Sequence, residues 1–178
     1  METFDPELAG GCLRISPEQG QWIVLKTRPR CEKKVQQHCQ EQEVTVYLPL
    51  QKRTHRYGGR TRNFLTPLFP TYIFCAARPE QRTDLLNGRH VVRGLDVVDQ
   101  AGLVRQLQTI ERALQEEEII EVMPFLKRGR TVIVRAGPMK GVEGIIERIK
   151  GRTRVVINVN MIQQAVAAEV DSADLSPA

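Results

Sequence analysis

Hydrophobic positions along this chain follow two regimes: β-type runs alternate with helical spacings up to about residue 118, and only short β-type runs occur from residue 127 onward. Trp22 to Lys26 (WIVLK) is an apolar run of β-formers and Pro29 is suited to open a helix, so a strand and then a helix are expected. Across Pro29 to Gln42, Cys31, Val35 and Cys39 recur at four-residue spacing, which puts them on one stripe. Arg30, Lys33, Lys34 and His38 spread over the other faces. Val44 to Leu50 (VTVYLPL) predicts a second strand, and Leu68 to Ala76 (LFPTYIFCA) a strongly β-prone one with Pro70 at its beginning, where it removes no interior ladder bond. Pro79 to Gly88 predicts a short helix, Val91 to Val98 a strand, and Leu103 to Glu118 an amphipathic helix with Leu103, Leu107, Ile110 and Leu114 on one side.

Between the second and third strands lies a segment of different character. Gln51 to Phe64 (QKRTHRYGGRTRNF) carries Lys52, Arg53, Arg56, Arg60 and Arg62 with no acid, around the pair Gly58 and Gly59. A Gly-Gly pair supplies the positive φ values of a tight hairpin turn, so a protruding basic β-hairpin with Tyr57 at its tip is expected. Such an arm suits phosphate contacts, with an aromatic ring available for stacking. After residue 127 the expected strands are Thr131 to Arg135, Val142 to Ile149, Arg154 to Asn160 and Gln164 to Val170, with turns at Gly137 to Gly141 and at Lys150 and Gly151. Four or five strands in about fifty residues suffice for one small closed barrel. The expected organisation is a polar leader (1–20), an α+β domain with an antiparallel sheet (21–118), a linker (119–126) opened by Glu116, Glu117 and Glu118, and an all-β barrel (127–178).

Composition narrows the class. With 178 residues, 41% of them apolar and 26% charged, the chain can bury a core but is too short for a large multidomain enzyme. No window approaches ~18 uninterrupted apolar residues, and Met1 to Gly11 is acidic where a signal peptide is basic and then apolar, so a cytoplasmic protein without membrane contact is expected. The net charge of +5 is unevenly laid out: residues 21–65 and 127–154 each sum to +7, whereas 1–20, 66–126 and 155–178 each sum to −3. Two basic blocks separated by an acidic one suggest two units that each face a polyanion or an acidic surface.

Catalysis has little to build on. No GxSxG, HExxH, Walker, GxGxxG or EF-hand pattern occurs, and His38, His55 and His90 stand far apart in sequence, none beside a plausible nucleophile. Cys12, Cys31, Cys39 and Cys75 form no CxxC pair, so buried thiols are expected rather than a disulfide framework. His38 and Cys39 lie about two helical turns from Cys31, too far to share one ion with it. A protein with no enzymatic activity, metal or cofactor is expected.

Two stretches carry a family resemblance. Ala136 to Ile149 (AGPMKGVEGIIERI) resembles the KOW motif, with Gly141 at the motif's glycine and Val142, Ile145 and Ile149 at its apolar positions. Trp22 to Lys26 with the basic helix after it, then Pro67 to Phe74 (PLFPTYIF), then Val91 to Val98, resemble the N-terminal domain of the NusG transcription factor family. The resemblance covers about residues 21 to 176. Within the family the chain is similar to the specialised paralogues typified by RfaH, because PLFPTYIF replaces a more usual FFPGY-like stretch and Asn160-Met161-Ile162-Gln163 stands where the general factor has an aromatic.

The resemblance implies an NGN-like α/β sandwich followed by an SH3-like KOW barrel, and a monomer that binds RNA polymerase and suppresses pausing or termination at specific operons. It implies that Trp22, Phe69, Pro70, Tyr72 and Phe74 form or support an apolar depression for polymerase, and that Arg28, Lys34, His38, Gln42 and Arg89 read the non-template DNA strand. Met161 and Ile162 stand where the family's barrel meets a small-subunit ribosomal protein. The Thr-rich motif of the paralogues' second polymerase contact is not reproduced, since Gln81, Arg82 and Thr83 occupy that place. The alternative is an RNA- or ribosome-binding KOW protein that uses the barrel and the basic arm without polymerase.

Overall fold

An unbroken apolar run is what a strand buried on both faces requires, and Trp22 to Leu25 lie in such a strand, all buried. The computed structural model of the protein describes residues 13, 18, 20–57, 60–115, 120–137, 139–149 and 151–178. It divides into two units, Met1–Gln100 and Ala101–Ala178.

The first unit is built on four antiparallel strands in the order β2-β5-β1-β6: β1 (Gln21–Thr27), β2 (Thr45–Tyr47), β5 (Tyr72–Ala77) and β6 (Val91–Asp96). Helices α1 (Glu32–Glu41) and α2 (Pro79–Leu86) belong to the same unit. Alternation sorts the sheet residues. Ile23, Leu25, Ile73, Cys75 and Ala77 form one cluster with Val35 and Cys39 of α1 and Leu85 of α2. Trp22, Val24, Phe74 and Ala76 alternate to the opposite face and are buried there too. At Gly94 of β6 a Cβ would lie 2.5 Å from Cδ2 of Leu86, so a side chain there would push the Leu86 side chain of α2 aside. Trp22, the second residue of β1, lies beyond the register of β6, and the Gln100 side chain stands in for the missing strand: its Oε1 accepts from the Trp22 N–H at 2.7 Å and its Nε2 donates to the Trp22 carbonyl at 2.9 Å.

Several boundaries differ from the sequence reading. Pro29 does not open α1; it occupies the second position of a turn closed by the Cys31 N–H on the Arg28 carbonyl at 3.1 Å. Arg30 takes φ 61°, the positive value a type II turn demands at its third position. The helix therefore begins at Glu32 with Cys31, half-exposed, at its N-cap. The strand expected from Leu68 begins only at Tyr72, because Leu68 to Thr71 form a turn in which Thr71 has φ 69°. Pro70 is thus an exposed turn residue, not the first residue of a strand. The basic arm is a hairpin of its own, β3 (Leu50–Tyr57) with β4 (Arg60–Pro67), paired from Leu50↔Pro67 to Tyr57↔Arg60. Its expected turn at Gly58 and Gly59 lies outside the described residues.

The second unit holds α3 (Gln100–Gln115), apart from its first residue, and a six-stranded antiparallel sheet ordered β12-β8-β9-β10-β11-β7. Its strands are β7 (Ile120–Pro124), β8 (Arg130–Val134), β9 (Glu143–Ile149), β10 (Arg152–Val159), β11 (Gln164–Glu169) and β12 (Leu175–Pro177). The units divide at Gln100, and β7 lies within the segment 119–126 expected as a linker. The β7 segment pairs with β11 from Gln164↔Pro124 to Ala168↔Ile120, and Met123 and Leu126 pack on Val156, Ala165 and Ala167. Asn158 fixes the end of the segment with two bonds to the Leu126 backbone, at 3.1 and 2.9 Å. Between β8 and β9, Gly141 has φ 85° and its N–H reaches the Val134 carbonyl at 2.7 Å, while Val142 is buried. The Ile149 side chain lies outside the described residues. Among the described residues no helix is long and apolar enough to cross a membrane.

Candidate functional site

Three of the residues expected to face nucleic acid surround one imidazole. Arg28 follows β1, Lys34 sits in the first turns of α1, and Arg89 lies in the loop between α2 and β6, and all three are exposed. His90 is half-exposed and follows Arg89, and the Arg28 N–H donates to its carbonyl at 2.9 Å. Partial burial, and then the positive charges of Lys34, Arg89 and Arg28, hold the His90 imidazole below its ordinary range. The turn that delayed α1 is what builds this cluster, because it carries the chain from the end of β1 into the helix beside the loop that delivers His90. Lys34, His38 and Gln42 recur at four-residue spacing, so a polar stripe runs from the cluster toward the C-terminal end of α1. At that end the Gln81 side chain of α2 donates to the Gln42 carbonyl at 3.1 Å and ties the two helices together.

His90 had no role in the sequence reading. Its one signal was adjacency to Arg89; its closeness to Arg28 and Lys34 comes from loops meeting across some sixty residues and has no local signature.

The second candidate surface is less open than its residue types suggest. Trp22 is 1% exposed and Phe69 and Phe74 are fully buried, so these three support the sheet face and do not present it. Phe69 and Phe74 meet edge to face at 6.3 Å between ring centres. Only Pro70, exposed, and Tyr72, half-buried, reach the surface. Lys26 lies 6.0 Å over the Tyr72 ring, and Arg93, its neighbour in register on β6, is exposed.

The turn that carries Phe69 and Pro70 is held from α1. Glu32, 5% exposed, accepts the Thr71 N–H on its Oε1 at 2.7 Å, and the Thr71 carbonyl accepts from the Thr27 N–H at 2.8 Å. The FFPGY-like stretch to which this segment is similar has a glycine where Thr71 stands. A β-branched residue at positive φ is strained, and the buried carboxylate helps to keep it there.

The arm forms a sheet of its own, in which β3 and β4 pair with each other. Lys52 and Arg53 are exposed, and Phe64, registered with Arg53, is 46% exposed. Arg56 and Arg60 occupy strand positions in register near the tip, and their side chains lie outside the described residues. In the second unit, Met161 and Ile162 form a 3-10 turn between β10 and β11 with Asn160. Ile162 is buried, and Met161 is the half-exposed member of the pair.

A family model described as "Transcription termination factor nusG" matches residues 20–124. That span covers the four-stranded sheet, the arm, helices α1 to α3 and β7. A solved structure titled "Crystal Structure of MjSpt4:Spt5 complex conformation B" matches with 15% identity over 88% of this chain and 95% of that one, at a TM-score of 0.30. No curated protein matches the chain.

Proposed function

The chain belongs to the NusG family of transcription factors, and from that premise we propose that it binds RNA polymerase during elongation and holds the non-template DNA strand on the Arg28–Lys34–Arg89 cluster. The observation that carries this reading is the convergence of those three cations on His90, with the Lys34, His38 and Gln42 stripe leading away from it. Exposed cations fix phosphates, and a neutral imidazole beside them offers a flat face and one hydrogen-bond donor to an unstacked base. Tyr72 and Pro70 are the polymerase-facing residues on this reading, with Trp22, Phe69 and Phe74 supporting them from beneath. The protein acts without catalysis, as an antiterminator at specific operons. Residues 127–178 are a KOW barrel whose Met161 meets a small-subunit ribosomal protein.

The test is a reconstituted elongation complex containing purified polymerase and the full chain, with photocrosslinking groups along the exposed non-template strand. Arg28→Ala, Lys34→Ala and Arg89→Ala together are expected to remove the crosslinks and flatten the salt dependence of retention, because each lost phosphate contact lowers the salt slope. Crosslinks unchanged by the triple substitution would refute the strand assignment. A chain that binds structured RNA and not polymerase would favour the RNA-binding alternative.

A further inference from the structure

Two thiols meet inside the first unit and have no part in the function proposed above. Cys39 lies in the last turn of α1 on the stripe it shares with Val35, and Cys75 lies in β5 between Phe74 and Ala76. Both are fully buried, and their sulfurs are 3.7 Å apart across 36 residues of sequence. We propose that Cys39 and Cys75 are a redox-modification site, closing to an intramolecular disulfide on exposure to hydrogen peroxide and reopening with a thiol reductant.

The geometry supports this pair and no other among the described cysteines. A disulfide needs sulfurs at ~2.05 Å, so these two must approach by about 1.7 Å, a movement on the scale of side-chain rotation and a small shift of a helix end. Cys31, eight residues before Cys39 on the same helix, is about 12 Å away along its axis and cannot reach it. The two thiols share a hydrogen bond in which either sulfur can donate, and burial in the sheet pushes the Cys75 thiol up. Cys39 lies in the last turn of α1, the part of the pair that fraying of the helix end uncovers first, and it is the attacking sulfur. Its thiolate attacks one peroxide oxygen, the O–O bond breaks and hydroxide departs, leaving a sulfenic acid on Cys39. The Cys75 thiol then attacks that sulfur, and its proton leaves with the sulfenic hydroxyl as water. In sum two thiols and one peroxide give one disulfide and two waters.

Burial sets the rate, because peroxide reaches Cys39 only when the end of α1 opens from the sheet. Once formed, the link pins α1 to β5 from beneath without changing Lys34, His38 or Gln42 on the helix's polar stripe. It also closes a long loop in the unfolded chain, which raises the stability of the oxidised unit.

The experiment treats the full chain with hydrogen peroxide, blocks remaining thiols by alkylation, and maps peptides after digestion without reductant. The expected result is a Cys39–Cys75 linked peptide lighter by two hydrogens and a thermal midpoint higher by several degrees, both reversed by dithiothreitol. Cys31→Ser is expected to leave the link intact, which separates it from oxidation at the half-exposed thiol. Recovery of both buried thiols in reduced form, sulfinic acid on Cys39 with no linked peptide, or a lowered midpoint in the linked protein would each overturn the proposal.

Discussion

Replacing Glu32 with alanine removes one carboxylate and is expected to loosen the turn that carries Phe69 and Pro70. The charged acceptor that Glu32 offers the Thr71 N–H at 2.7 Å is an interaction of the class worth about 1.5–3 kcal/mol. A carboxylate in the first turn of α1 adds roughly 0.3–1 kcal/mol through the helix dipole. Alanine also relieves the desolvation of a side chain that is 5% exposed, so the expected net loss is about 2 kcal/mol, toward the lower end of the sum. With an m-value of about 2 kcal/mol per molar, that loss lowers the urea midpoint by about 1 M. The assay is urea unfolding followed by the fluorescence of Trp22, the single tryptophan of the chain, which is buried in the same unit and reports its unfolding directly. Glu32→Gln keeps an oxygen acceptor and is expected to lose roughly half as much, since charge assistance about doubles such a bond. Thr71→Gly is expected to be neutral or stabilising, because relief of a strain of order 1–3 kcal/mol outweighs or matches the backbone entropy of glycine. A midpoint for Glu32→Ala within about 0.2 M of the unaltered protein, or one identical for the Ala and Gln variants, would show that the carboxylate does not hold the turn.

Three further outcomes are expected. In an NMR titration His90 should ionise below the ordinary histidine range and move upward in Lys34→Ala, and because an anion on the cluster favours the protonated ring, single-stranded DNA should bind more tightly as pH falls through and below about 6.5; an ordinary or raised value in the free protein contradicts the cluster's electrostatics. Phe74→Ala should cost about 3–5 kcal/mol of stability because its ring is fully buried, whereas Tyr72→Ala should leave unfolding nearly unchanged and weaken polymerase binding; equal stability of the two variants would undo the separation of support from surface. Asn158→Ala removes both bonds to the Leu126 backbone and should speed amide exchange across Ile120–Pro124, and unchanged protection there would mean that the β7–β11 ladder holds without the clamp.

The sequence was readable where a segment's pattern is decided locally. WIVLK is a strand buried on both faces and reads as one, and QKRTHRYGGRTRNF is a hairpin because its own residues pair with each other. Failures came where distant partners decide. Ile120 to Pro124 looked like tether because three glutamates precede it and it is short, yet β11 recruits it as an edge strand. Pro29 is equally compatible with a helix start and a turn, and the hydrogen bond from Cys31 to Arg28 selects the turn. Aromatic density around PLFPTYIF was visible, but alternation gives only which residues share a face, not whether that face is covered. For the candidate site, the cations were legible as types, while their convergence on His90 depends on how two loops meet.

The Leu68 N–H donates to the Pro49 carbonyl at 2.8 Å, so the chain leaves the four-stranded sheet for the arm and returns to it through a bonded doorway between β2 and β5. Among the described residues the strand pairing of the arm is internal, while Leu50 at its base packs on the core of the four-stranded sheet. Length and charge can therefore change in the arm as loop lengths change in any hairpin, at a cost that grows only slowly with the residues added. Relatives with the same sheet could thus carry longer, shorter or acidic arms, and an arm transplanted at positions 50 and 67 would carry its binding preference with it while the host fold stays as it was.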